Sequence, residues 1–382
     1  MALILVLTLV PLEAAEERPS TFCVLCREGA VADGILNAAL FLPLGGVLSV
    51  AGWRSRRALA LGSLLSLGVE TAQLVIPGRD PSPSDLLFNT LGTGLGLVLV
   101  RSASTWWRPG PRLAHVLWIS GAMGATSILA LSGVLFGASF PRETYYGGWT
   151  PRFSQLEWYG GRLLEVSLDG LEIPSGVIAR SAEVRQRLLA GATLRVRGHA
   201  GPRPPGLAPV FTIHDRDQRE ILLLGADGDD LVYRYRARAS AWGLVAPEIR
   251  VGGALRGIAW REPLGIAVRR APGGHCIRVN AIEHCPVGYT LGTGWVLLLG
   301  AQPVTPRLGS VFNVVWLAVL FFPTGFRGRF RWSSVAAFAC SLGGLLVLPV
   351  AIGLLPTPGV ELLGALAGFL AGWAIRPAYA SA

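Results

Sequence analysis

Residues 70–96 read ETAQLVIPGRDPSPSDLLFNTLGTGLG, and the fold is decided here. An apolar helix ends across Glu70–Gln73, a Pro-rich turn carries Arg79, and a second apolar helix opens at Asp85. Carboxylates on helices otherwise suited to lipid are expensive to keep, so by default they mark a functional site. Glu70 and Gln73 are spaced i,i+3, and Asp85 and Asn89 i,i+4, so each pair shares a helix face. Asp85 follows Ser84 at a helix start, where the helix dipole favours negative charge. Gly92 and Gly96 form a GxxxG step, which lets a neighbouring helix come close.

Moving outward, the stretches 33–53 and 58–76 are apolar and are parted by Arg54, Arg56 and Arg57. The stretches 85–100 and 113–135 follow, parted by Arg101, Arg108 and Arg112. Each approaches the roughly 20 residues that a helix needs to cross a bilayer. Short Arg-rich loops stay cytoplasmic. The Arg79 turn and everything after the fourth span are therefore expected outside. Trp53, Trp106 and Trp107 sit beside these arginines, as interfacial tryptophans do. Asp33 and Asn37 supply a third i,i+4 pair at the same outer level. The residues Asp33, Asn37, Glu70, Gln73, Arg79, Asp85 and Asn89 are thus expected to form one ligand-binding polar pocket that opens outward. The competing reading is a set of caps and salt bridges that only pins three helices.

Composition agrees with a membrane protein. The chain is 51% hydrophobic and 15% charged, whereas soluble domains carry about a quarter charged residues. The formal charge of +10 comes entirely from arginine, because the sequence has no lysine. Outside residues 141–286 those arginines cluster in short loops beside apolar segments, which argues for topology and against nucleic-acid binding. Residues 1–12 are apolar but too short to span and lack a basic leader, so a shortened first helix is expected rather than a signal peptide. Cys23 and Cys26 form a CxxC with no second CxxC to complete a zinc site.

From 141 to 286 the character changes. Short β-rich runs (LLEVSL, ATLRVRG, PVFTIHD, EILLLG, DLVYRYRA, GIAVRR, CIRVNAI) alternate with Gly, Pro and Asp. That spacing predicts a β-sandwich or jelly roll, with one helical turn at 182–191. Apolar spans return at 308–325, 333–355 and 359–375. The run at 288–302 cannot cross if the Arg327–Arg331 loop is cytoplasmic, and it is read as re-entrant or interfacial. The expected fold class is an α-helical polytopic membrane protein with an inserted all-β sandwich (jelly-roll) domain. Its regions are helices in 1–138, the sandwich in 141–286 and helices in 287–382.

The last region echoes the first. LFLPLG (40–45) recurs as LFFPTG (320–325), and DLLFNTLGTGLG (85–96) as ELLGALAGFLAG (361–372). Such duplications build many transporter-like folds, although apolar helices also resemble one another by chance. The second copy keeps an acid at Glu361 but has Ala365 in place of Asn89, which would make it scaffold and the first copy the site.

The segments DGILNAALFLPLG, ETAQLVIPGRDPSPSD and DLLFNTLGTGLG resemble the VanZ family of bacterial membrane proteins over about residues 30–100. The resemblance implies a multi-pass protein of the bacterial cell membrane, linked to the envelope. The founding member is associated with glycopeptide (teicoplanin) resistance. It also implies roles for Asp33, Asn37, Glu70, Gln73, Arg79, Asp85 and Asn89, which stand at the family's polar positions. The long insertion and extra helices depart from the short family form, so a resistance role is not carried over with them.

The middle region resembles a laminin G or concanavalin A-like jelly roll in the strand pattern of ATLRVRG, PVFTIHD and ILLLGADGDDLVYRYR. This implies binding of carbohydrate or polymer at the cell surface, with the domain extracytoplasmic. Trp149, Trp158, Trp242 and Trp260 are candidates to stack on sugar rings or to fill the core. Asp215, Asp217, Asp227, Asp229 and Asp230 suit calcium or, more simply, turns. Cys276 and Cys285 are a candidate disulfide, permitted outside the cytoplasm. The five histidines show no metal-ligand spacing, and no cofactor fingerprint is present, so neither metal nor cofactor is expected. The expected partners are membrane lipid and a cell-wall or surface glycan. The expected function is binding of an envelope lipid or glycan. The alternatives are an enzyme acting on a lipid-linked phosphate, with Glu70 or Asp85 as acid/base and Arg79 on the phosphate, or a plain anchor for the sandwich.

Overall fold

The computed structural model describes residues 2–9, 29–76, 82–300, 306–327 and 331–375. The helices, in chain order, are α1 (Ala2–Leu9), α2 (Ala30–Val50), α3 (Ser55–Gln73), α4 (Pro83–Arg101), α5 (Ala103–Trp107) and α6 (Pro111–Phe136). They continue with α7 (Ser181–Ala190), α8 (Arg238–Ala241), α9 (Val296–Leu299), α10 (Pro306–Arg327), α11 (Arg331–Ile352) and α12 (Gly359–Ile375). Among the described residues, α2, α4, α6 and α10 hold segments long and apolar enough to cross a membrane. The chain is a multi-pass membrane protein on that ground. Helices α3, α11 and α12 pack beside these four.

Lipid tails are as apolar as leucine, so close packing rather than burial must hold such helices together. Small residues provide it. Gly92 of α4 lies against the Ala38 carbonyl of α2, Gly96 against the Leu42 carbonyl, and Gly45 against the Thr93 carbonyl. A Cβ at any of the three would overlap backbone of the other helix. The same contacts recur in the last region, where Gly368 meets Ala318, Gly372 meets Phe322, and Gly325 meets Phe369. Matching those contacts carries α2 onto α10 and α4 onto α12. It also sets Asp33 against Asn313, Asn37 against Leu317, Asp85 against Glu361 and Asn89 against Ala365.

Between the two helical regions lie twelve strands: β1 (Tyr145–Trp149), β2 (Arg162–Leu168), β3 (Leu171–Glu172), β4 (Gly176–Ile178), β5 (Leu194–His199), β6 (Leu207–His214), β7 (Glu220–Asp227), β8 (Asp230–Tyr235), β9 (Glu248–Val251), β10 (Pro263–Ala271), β11 (Gly274–Val279) and β12 (Ile282–Val287). They form two six-stranded antiparallel sheets, ordered β4-β1-β6-β7-β8-β9 and β12-β11-β10-β5-β2-β3. This is a β-sandwich. Alternating β5 and β10 bury one face each, with Leu194, Val196, Ile266 and Val268 inward. Strands β6 and β7 are buried on both faces, because Leu156 covers Leu207, Leu223 and Val232 on the outer side. This explains the unbroken apolar run EILLLG.

The sandwich is docked on one end of the helical bundle by backbone hydrogen bonds. The amides of Val31 and Ala32 at the start of α2 donate to the Gly243 carbonyl, and Arg238 N donates to the Gly137 carbonyl after α6. Val245 N donates to Leu297 O of α9, and Leu355 N to Tyr289 O. Ends of four helices therefore meet the domain. At the opposite end, the Arg101 guanidinium donates to the Trp53 carbonyl at 2.7 Å, and the rings of Trp107 and Phe326 lie 5.3 Å apart.

Of the 288–302 run, residues 288–300 are described and hold no helix of membrane-spanning length. They hold a 3₁₀ turn (Leu291–Trp295) and the four-residue α9, tucked under the sandwich with Leu291, Trp295 and Leu297 buried. The loop aspartates are taken up by protein groups. Asp215 accepts from the amides of Asp217 and Arg219, Asp217 lies 3.7 Å from the Arg219 guanidinium, Asp227 and Asp230 pair with Arg250, and Asp229 pairs with Arg203. Cys276 and Cys285 are disulfide-bonded, with Cα atoms 4.4 Å apart. The CxxC lies outside the described residues.

Candidate ligand site at the helix ends

The helix turn that frames the cluster is built locally. Ser82 is extended and caps α4, its hydroxyl accepting from Ser84 N at 3.3 Å, and Pro83 sits in the first turn, where a missing amide costs nothing. Across this cap comes α3. Glu70 accepts the Ser82 amide at 2.8 Å, so an acid of one helix binds the start of the next. Asp85, in the first turn of α4, is within Coulombic reach of Glu70. Two carboxylates therefore share the end of α3 and α4.

One turn deeper, Asn89 is only 2% exposed and donates to the Ser66 hydroxyl at 2.9 Å. Its carbonyl oxygen has no partner. Thr93 bonds back to Asn89 O, while Ser63 and Thr90 hydroxyls lie 3.0 Å apart. These residues make a polar seam between α3 and α4. Gln73 points elsewhere: its amide donates to the Thr8 carbonyl of α1 at 3.0 Å, and its own carbonyl oxygen is buried without a partner. Asp33 and Asn37 occupy the first turns of α2, Asp33 exposed and Asn37 half-buried. Gly34 there abuts the Phe88 ring of α4, which brings that end of α2 beside Asn89. Arg79 lies outside the described residues.

The equivalent end of the second helical region is closed by the protein itself. Glu361 is 2% exposed and accepts from Thr290 Oγ1 at 2.7 Å, Asn313 Nδ2 at 2.8 Å and the Gly292 amide at 3.2 Å. Asn313 accepts in turn from Trp295 Nε1 at 2.7 Å. The 3₁₀ turn and the Thr290 that precedes it supply three of these four groups. Sequence reasoning missed Asn313 and Thr290, because Asn313 corresponds to an acid in the first region and Thr290 to nothing. The echo of LFLPLG in LFFPTG already sets Asn313 at the place of Asp33, and the glycine contacts agree with that pairing.

Of the four tryptophans considered for stacking, Trp149 donates to Ile173 O and packs against the core, so it belongs to the interior. Trp158, Trp242 and Trp260 are exposed. Trp242 lies beside the start of α2. Trp158 and Trp260 are at the other end of the sandwich, each with a guanidinium over one ring face, Arg152 at 4.6 Å and Arg261 at 4.3 Å.

The helical packing and the polar cluster both fall within one recognisable stretch. Residues 3–106 match the VanZ/LLP1 family. The match takes in α1 to α4 and every member of the cluster, and it stops before α6 and the sandwich. No curated protein and no solved structure matches the chain. The family match is thus confined to the first helical region. The sandwich stands as a two-sheet antiparallel domain, and its likeness to concanavalin A-type domains gains nothing from the comparisons.

Proposed function

We propose that the VanZ/LLP1 region binds an envelope lipid or glycan at the domain-side ends of α2, α3 and α4. The observation that carries this reading is a pair of buried amide oxygens in the first helical region that no donor among the described residues reaches. In the second, the acid at the helix start is saturated by three donors of the chain itself. In the first, the amide oxygens of Gln73 and Asn89 are buried with no donor among the described residues, and Glu70, which accepts the Ser82 amide, stands with Asp85 at the same helix ends. Groups of this kind are acceptors, and a ligand rich in hydroxyl or amide donors, such as a sugar or a peptide, suits them. Trp158 and Trp260, each with one ring face covered by arginine, add a lectin-like surface for a surface polymer at the far end of the sandwich. The Arg-rich loops lie at the opposite end of the bundle, which supports an extracytoplasmic sandwich. An association with glycopeptide resistance follows only as far as the family likeness does.

The test is binding of lipid-linked cell-wall precursors to the purified full chain in neutral detergent. Glu70→Gln keeps an oxygen to accept the Ser82 amide and removes the charge, so it is expected to stay folded. Binding is expected to weaken about ten-fold, the size of one lost charge-assisted hydrogen bond. Equal binding by wild type and a folded Glu70→Gln and Asp85→Asn pair would reduce the cluster to a helix pin.

A further inference from the structure

A cavity of about 90 Å³ lies between the two sheets, at the end of the sandwich that meets the helices. Strands β5, β7, β8, β10 and β11 form its walls, and the ends of α6, α7 and α11 close it. Leu194, Leu222 and Phe136 give the lining its apolar part. Tyr233, Tyr235, His275 and Tyr289 give it polar atoms, and Arg270 also lines it.

The charge is one-sided. No carboxylate lines the cavity. Arg269 is paired with Glu283 at 3.3 Å, but Arg270 is exposed and has neither ion pair nor hydrogen bond among the described residues. Gly191 is the left-handed residue that ends α7 at φ 81°, where an added Cβ would fall 2.9 Å from the Arg270 Cβ. An unpaired cation thus stands at the rim, with its stem against Gly191.

The polar lining is incomplete in the same sense. Tyr289 is 6% exposed and its ring stacks on Phe136 with centroids 4.4 Å apart, yet its hydroxyl has no partner. His275 Nδ1 is also buried without a partner. Native interiors leave few such atoms, and each calls for an explanation. Here two belong to one cavity. The position adds the last element, because Gly133 and Phe136 of α6 and Ile352 of α11 form a wall where the helices emerge towards the sandwich. A molecule reaching this cavity comes from the membrane surface.

We propose that this cavity holds the phosphate headgroup of an anionic membrane lipid, with Arg270 pairing the phosphate and the Tyr289 hydroxyl and His275 completing its hydrogen bonds. An unpaired arginine beside hydroxyl and imidazole donors is the chemistry that recognises a phosphate, and Glu248, the acid felt by the Tyr289 hydroxyl, is itself paired with Arg234 and Arg250. The volume suits a headgroup rather than a whole lipid, so the chains remain along α6 and α11. The site is separate from the Glu70 cluster and stands or falls without it. Its competitor is water, since a polar cavity of this size holds several molecules.

The experiment measures binding of dihexanoyl phosphatidic acid to the full chain in neutral detergent, with dihexanoylglycerol as the uncharged control and inorganic phosphate as competitor. Wild type is expected to bind the phosphatidic acid and not the control. Arg270→Gln, at an exposed position, and Tyr289→Phe, which keeps the ring, are each expected to lose about ten-fold in affinity. The Tm of Tyr289→Phe should be unchanged or raised, because an unpartnered hydroxyl is removed. Displacement by inorganic phosphate would show that the phosphate alone is recognised, and its failure to displace would show that the lipid portion is needed as well. Both results support the site. Binding that is absent, equal for dihexanoylglycerol, or unchanged in both variants would overturn it and leave a water-filled cavity.

Discussion

His275 shows how one side chain couples the sandwich to pH. It sits between the rings of Tyr233 and Tyr235, with centroids 5.3 and 5.4 Å away. Burial first, and the neighbouring Arg270 second, push its pKa down from 6.5 to about 4. The folded protein therefore holds the imidazole neutral at pH values where the unfolded chain already protonates it. The unfolded state binds more protons between pH 6.5 and 4, so stability rises with pH across that window. The contribution is complete above pH 6.5, declines as the pH falls towards 4, and is flat below. A shift of this size corresponds to roughly 3 kcal/mol as an upper figure. Thermal unfolding of wild type and His275→Gln at pH 7 and pH 4.5 checks it. The variant should lose much less Tm between the two, and parallel losses would show that other groups carry the acid sensitivity.

At the scale of elements, the helices were legible because apolar runs, Arg loops and Pro–Gly turns coincide. The seven long helices lie within a few residues of their expected bounds, extended mainly at their starts, where caps such as Ser82 precede the apolar run. The strands with strong alternation, β5 and β10, were equally plain. Strands β1, β3, β4, β9 and β12 were not, since YYGGW, LE and GVI carry no period and β12 hides behind the Asn280 turn. The site was legible in its parts but not in its wiring. Spacing put Glu70 and Asp85 at one level, but the bond from Ser82 N to Glu70, the turn of Gln73 towards α1 and the Asn313–Glu361 pair depend on tertiary contacts that spacing does not encode. The glycines do connect the two levels. Gly96 lets α4 lie on the Leu42 carbonyl, and Gly372 repeats the contact on Phe322. Gly96→Val should force the α2–α4 pair apart, destabilising it by about 1–3 kcal/mol, the usual cost of overpacking. Gly68, with nothing near its missing Cβ, supplies the control. Gly68→Ala should leave the Tm unchanged or raise it, since alanine favours helix. A Gly96→Val protein as stable as wild type would show that the close approach is not what holds the helices.

The whole molecule has two ends that differ in charge and in attachment, and we propose an extracytoplasmic sandwich from them. The arginines at 54, 56, 57, 101 and 108 lie at the end away from the sandwich, where Arg101 ties the α4 terminus to Trp53. Keeping such loops in the cytoplasm requires the docked sandwich to face the other way. The joined Cys276 and Cys285 agree, because disulfides persist outside the reducing cytoplasm. Attachment also matters, because the sandwich is bonded to the ends of α2, α6, α9 and the α11–α12 connection rather than hung from a linker. Both helical regions must then present those ends on the same side, towards the sandwich. The arrangement is tested in intact cells with a membrane-impermeant maleimide, using a chain whose Cys23, Cys26 and Cys340 are changed to serine. A cysteine placed at exposed Ser154, on the sandwich, should label without permeabilisation. One placed at exposed Arg56 should label only after it. The reverse pattern would put the sandwich in the cytoplasm and remove the envelope as the source of its ligand, whereas labelling of both sites in sealed cells would contradict a single orientation.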